Sequence, residues 1–248
     1  MKLVFIIVLL LSVQQVFTQV KAGQHKRLAK LYLDQDYEDC LYKAEKMSQG
    51  DDYKTDPEVF LYMSMSLYQL SLMEDPEIKE LYPNAFRDAI RNAGKAVQKD
   101  RYKEYIPQNM DYIKTLKTAA IDAAKRLYNE RNYKFCAKII KELEKVDPND
   151  LHIVVFRLTC EIAGNASPTA KDEYTKLMPQ LKARYAAGTN LPDPTTKSLM
   201  IEGILLYSNF LLGKSKVDDA ALVLDEALLI FPSEGFLRMQ YNMITGKK

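Results

Sequence analysis

Tryptophan is absent from this chain of 248 residues, histidine occurs twice and cysteine three times. Two histidines and three thiols are thin material for a metal centre or a nucleophilic site. The sequence holds no Gly-x-Ser-x-Gly elbow, no glycine-rich phosphate loop and no Cys-x-x-Cys pair. Nine glycines and ten prolines are too few for a loop-rich domain stapled by disulfides, and three cysteines cannot all pair. Neither sign of charge dominates: 35 Lys and Arg stand against 33 Asp and Glu, with no run of five like charges. That balance gives no footprint for nucleic acid and no polybasic membrane patch. What is present is a 47% hydrophobic fraction, enough for a folded core.

The first residues read as an export leader. Met1-Lys2 supplies a positive start, Leu3 to Leu11 is uninterruptedly apolar, and Ser12-Val13-Gln14-Gln15 turns polar. Such a run is well short of the roughly 20 residues of a membrane-spanning helix, so a cleaved signal peptide over 1–18 is expected rather than an anchor. Cleavage after Thr18, with Val16 two positions before it, and cleavage after Ala22, with Val20 in the same relation, both fit. No cysteine lies near either bond, which excludes a lipid anchor on a new N-terminal Cys. The mature chain is expected to be exported and soluble, without a transmembrane segment, in the periplasm or alternatively secreted. Cys40, Cys136 and Cys160 sit among apolar, helical neighbours and read as small buried hydrophobes, with a Cys136–Cys160 bridge as the alternative.

From about residue 24 onward, apolar residues recur at spacings of three and four, which predicts an all-α chain. In 133–146, Tyr133, Cys136, Ala137, Ile140, Leu143 and Val146 form one stripe, lysines face away, and Asp147-Pro148-Asn149 ends the helix. Residues 217–231 are apolar almost all round, so a lid is expected from Phe236–Ile244. Breaks at 49–52, 73–76, 101–107, 147–148, 164–168 and 188–194 divide the chain into five helix pairs plus a final helix. Pro179 predicts a kink or a break within 170–187.

A small residue opens the second helix of four pairs: Cys40, Ala89, Cys136 and Ala220. Each has a larger apolar residue three places earlier (Tyr37, Phe86, Tyr133, Val217). Leu31, Leu127 and Leu211 lie nine before Cys40, Cys136 and Ala220. Antiparallel helices approach closely only where small side chains cross, so the repeated gap marks a repeated unit. Ile204, Tyr207-Ser208, Leu211, Ala220, Leu224, Ala227 and Pro232 form a pattern that resembles the tetratricopeptide repeat. So do Ala120, Ala123-Ala124, Leu127, Cys136, Ile140, Leu143 and Pro148, although leucine replaces the aromatic in both. Anchor spacings of 49, 47 and, across two units, 84 residues exceed the standard 34, and Met73 to Asn84 is an acidic insertion. The resemblance implies a single domain over 24–248, a right-handed α-solenoid of about five antiparallel helix pairs with a C-terminal capping helix. Composition and leader together resemble envelope repeat proteins of the Bacteroidota.

Few residues offer chemistry. His152 and Cys160 are eight apart on one predicted helix, too far for a direct hydrogen bond. Acidic pairs such as Asp36 with Glu38 and Asp218 with Asp219 stand at helix starts, where carboxylates favour the dipole. No catalytic set, cofactor site or metal site is expected, and the chain reads as a non-enzyme. The resemblance implies instead a concave face lined by first helices, with Tyr62, Ser66, Gln69, Lys125, Tyr128, His152, Phe156 and Asn209 as partner-binding candidates. The faces that hold a peptide carboxylate in chaperone-docking members carry His25, Ile121, Val155 and Leu205 here, which argues against that use. The expected role is a scaffold or adaptor for one or more envelope proteins or peptides, in a secretion or surface-assembly complex. The alternative is a module capturing a peptide or glycan in a Tyr-lined groove.

Overall fold

The computed structural model describes residues 23–188 and 194–247. The expected leader, its candidate cleavage residues Thr18 and Ala22, and most of the predicted break at 188–194 lie outside the described residues. Among those described, all regular structure is helical: α1 (Lys26–Leu33), α2 (Tyr37–Ser48), α3 (Pro57–Leu72), α4 (Pro76–Leu81), α5 (Ala85–Lys99), a 3₁₀ turn (Pro107–Asn109), α6 (Met110–Asn129), α7 (Tyr133–Leu143), α8 (Leu151–Ala163), α9 (Ala170–Ala186), α10 (Pro194–Gly213), α11 (Val217–Ile230) and α12 (Gly235–Thr245). No described helix is long and apolar enough to cross a membrane. Starts are chemically marked. Asp56, Asp75 and Asp150 accept from the amides of Glu58, Glu77 and His152, and Pro57 and Pro76 occupy first-turn positions where a missing N–H costs nothing.

Neighbouring helices pack in pairs: α1 on α2, α3 on α5, α6 on α7, α8 on α9 and α10 on α11, with α4 inserted in the second pair. Successive pairs join through α2 on α3, α7 on α8 and α8 on α10, and α12 lies on α11. Two apolar cores result. The first runs from Leu28 to Cys160 and takes Leu199 and Leu206 of α10, while the second holds the C-terminal helices as far as Leu237. Helix α8 feeds both, giving Ile153, Phe156 and Cys160 to the first and Val155 and Leu158 to the second. Gly203 lets α10 close on α8, because a Cβ there would lie 2.6 Å from Thr159 Oγ1 and 3.1 Å from Phe156 Cα.

The four sequence anchors are all fully buried. Their crossings repeat one arrangement, a short polar atom against a backbone carbonyl of the facing helix. Cys40 Sγ donates to Leu28 O (3.5 Å), Cys136 Sγ to Ala124 O (3.3 Å), and Ser208 Oγ to Ala220 O (3.4 Å), each across 12 residues. In the second pair Ser64 Oγ donates to Ala89 O (2.7 Å) across 25 residues, the longer span left by the insertion. The Ser64 hydroxyl also meets Tyr112 Oη at 2.6 Å. Its proton is committed to Ala89, so Tyr112 is the donor in that contact, and one hydroxyl joins α3, α5 and α6.

The links inside the pairs repeat as well. Gln35, Arg131, Asn165 and Ser215 all have positive φ, between 48° and 66°. In each case this residue donates three residues back, and the next one donates five back. The second of these bonds is Asp36 N to Leu31 O (2.9 Å), Asn132 N to Leu127 O (2.8 Å), Ala166 N to Glu161 O (2.8 Å) and Lys216 N to Leu211 O (3.0 Å). These are left-handed helix stops built without glycine.

Two expectations change. α9 runs unbroken through Pro179. Pro179 is an exposed position, as is Thr175, whose carbonyl the missing amide would have met. The lid α12 covers α11 only in part: Leu237 is fully buried, but Leu222 and Leu229 of α11 remain 58% and 59% exposed.

Because αL costs an L-residue about 1–2 kcal/mol, partly offset by glycine's greater unfolded entropy, Arg131→Gly and Ser215→Gly are each expected to stabilise by about 0.5–1 kcal/mol in denaturant titration. Ser64→Ala strands the buried Tyr112 hydroxyl and is expected to cost about 1–3 kcal/mol. In the Tyr112→Phe background the same change should cost less, which a double-mutant cycle reads directly.

Candidate functional site

Helix α3 is enclosed on nearly every side, from Glu58 to Leu67 and at Leu70. Tyr62 and Ser66 therefore sit in the interior rather than on a groove, 1% and 0% exposed, and neither hydroxyl has a hydrogen-bond partner. Burial pushes the Tyr62 phenol well up. Gln69 is half-buried and donates to Tyr32 Oη at 3.3 Å, where burial drives the Tyr32 phenol to about 12. Phe156 is fully buried against Tyr128, with ring centroids 5.8 Å apart.

His152 is likewise interior, at 4% exposure. Its Nδ1 meets Asp150 Oδ1 at 2.8 Å and its Nε2 meets Tyr185 Oη at 3.0 Å. A carboxylate–imidazole–hydroxyl chain has the form of a proton relay. Here the terminal hydroxyl is the wrong chemistry: burial, then the Asp150 charge, push the Tyr185 phenol to about 12, and its ring stacks edge-on against Phe231 at 4.9 Å. The chain ties α8 to α9. Asp150 is held from a third side by Lys117 Nζ at 3.1 Å, which also meets Asp147 at 2.7 Å. Burial raises the Asp150 carboxyl, but the His152 bond and the Lys117 charge outweigh it and hold the group at about 2.

The thiols do not activate one another. Cys136 and Cys160 are free, with Sγ atoms 3.6 Å apart, and their contact together with burial drives the Cys160 thiol far up. Among the described residues no group of three His, Cys, Asp or Glu side chains is placed to hold a metal ion.

The remaining candidates lie toward one surface. Lys125 on α6 pairs with Glu202 on α10 (3.0 Å), and Tyr128 Oη donates to the Glu202 carbonyl (3.5 Å), so side chains of α6 reach α10. Beside Glu202 opens a cleft of about 530 Å³ between α10 and the start of α12, floored by Ile201, Leu205 and Phe236 and rimmed by Lys197, Ser198 and Glu234. The outer face of α12 continues it: Phe236, Met239 and Met243 are 65%, 56% and 76% exposed. Their spacing of three and four places them on one stripe. Asn209 is exposed nearby and accepts from Gln240 Nε2 at 2.8 Å. Sequence reasoning missed this stripe, because Phe236–Ile244 was assigned wholly to covering α11. The alternation of Leu237, Tyr241 and Ile244 with Phe236, Met239 and Met243 held the signal of a helix with two apolar faces. Compared with family models, with curated proteins and with solved structures, the chain matches none.

The Asp150 network makes a pH prediction. A carboxyl depressed in the folded state contributes stability above its unfolded value, near 3.9, that disappears as pH falls through about 2. The wild type is expected to lose about 2 kcal/mol across that window in urea titrations, and Asp150→Asn to lack this step.

Proposed function

We propose that the chain is an exported, non-enzymatic scaffold of the bacterial envelope that holds a segment of another protein against the α10–α12 cleft. In this reading the helix pairs form a tetratricopeptide-like right-handed solenoid of about five units, capped by α12. The common 12-residue crossing and the recurring left-handed stops support a repeated unit. The observation that carries the binding site is the exposed stripe of Phe236, Met239 and Met243 continuing an apolar cleft with charged rims. Apolar side chains facing water in a row mark recognition surfaces, and methionine adapts its shape to varied partners. Lys197, Glu202 and Glu234 would fix the orientation of the bound segment. Capture of a glycan in a Tyr-lined groove is less well supported, because Tyr62 and Tyr207 are buried and the face offers Phe and Met instead.

The test is cross-linked affinity purification of the tagged protein from envelope fractions, with Phe236→Asp and Met239→Asp run beside the wild type. A defined envelope protein recovered at fixed ratio is expected, with its capture reduced about 30-fold or more in either variant, as loss of about 2 kcal/mol at an interface hot spot implies. Undiminished capture by variants that melt normally would place the site elsewhere.

A further inference from the structure

Glu58, in the first turn of α3, is 3% exposed. Its carboxylate reaches across to the start of α1, where Oε2 accepts from Gln24 N at 2.7 Å and Oε1 from His25 N at 3.3 Å. Among the described residues no lysine, arginine or histidine forms an ion pair with it, and the adjacent His25 gives its Nε2 to Asp56 at 2.7 Å instead. A carboxylate withdrawn from water, with two amide donors and no cation on it among the described residues, is a place where a charged partner would gain most. Gly23 packs on this same carboxylate. A Cβ on Gly23 would lie 2.6 Å from Oε1 and nearer still to Oε2, so a side chain there would displace the carboxylate. The Gly23 nitrogen is one bond from that covered Cα.

We propose that leader removal cuts the Ala22–Gly23 bond, and that the ammonium thereby created on Gly23 docks on the Glu58 carboxylate and clamps the new N-terminus to α3. The inference rests on the exported reading above. The cut is a hydrolysis by a leader peptidase. One water supplies the oxygen that turns the Ala22 carbonyl into a carboxylate, and the freed Gly23 nitrogen takes up the protons as an ammonium. Val20 and Ala22 give the small residues two apart that such enzymes read, but Val16 and Thr18 do so equally. We take the cut after Ala22, because only that cut puts a cation on the nitrogen beside Glu58. A cut after Thr18 leaves four further residues on Gly23, and an amide where the cation is wanted. The dipole of α1 opposes a cation at this end, and the Glu58 charge offsets it.

The full chain is expressed with its leader in an exporting bacterium, and the processed protein is read by intact mass and N-terminal sequencing. Gly23 is the expected first residue. Gln19 overturns the proposal and leaves export standing, whereas Met1 overturns both. The processed protein is then acylated near neutral pH with an amine-reactive ester, and the α-amine is followed by peptide mapping. Pairing with Glu58 lowers the free-amine fraction, so the wild type is expected to label about tenfold more slowly than Glu58→Gln, for one unit of pKa. Gly23→Ala keeps the fold and the amine but pushes the carboxylate aside. It should accelerate labelling similarly, and covers the case in which Glu58→Gln does not fold. Equal rates in the wild type and in whichever variants fold would overturn the pairing.

Discussion

The closeness with which paired helices cross is the constraint from which the rest of this structure follows. At four crossings a thiol or hydroxyl of one helix touches a backbone carbonyl of the other, a contact possible only where no larger side chain intervenes. Once the backbones are that close, the link between them must reverse within a few residues. The left-handed stops at Gln35, Arg131, Asn165 and Ser215 perform that reversal and satisfy the last carbonyls of the preceding helix. At Gln35, Arg131 and Ser215, where crossing and stop fall in the same pair, the strain of an L-residue at positive φ is tolerated because the crossing over-determines the turn.

Regularity breaks at two places. The second pair is split by α4, and its crossing is bridged across a longer span by Ser64, which then recruits Tyr112 from the next pair. At the other end, Lys125 of α6 reaches over to Glu202 of α10. What stays open is the cleft between α10 and α12, and the apolar residues left exposed beside it are those that the final helix cannot bury against α11.

The crossings were legible in the sequence because a small residue at fixed distance from a leucine is a one-dimensional pattern. The binding face was not. Tyr62 and Ser66 occupy positions that an isolated pair would expose, but α3 is buried from both sides by its neighbours, which periodicity within a single helix does not encode. His152 lacked a partner at helical spacing because its partners are the capping Asp150 and Tyr185, 33 residues away on α9. Of the left-handed stops only Asn165 is a residue type from which a positive φ is read; Gln35, Arg131 and Ser215 carried no such signal. Pro179 does not break its helix, which continues through an exposed position.

Helices α8 and α10 each belong to two cores at once, and this decides how the molecule comes apart. Both have opposite sides held by different sets of neighbours. Shedding either core strips both helices of part of their support, so the second core weakens as the first one goes. The two cores should therefore be lost together rather than one after the other.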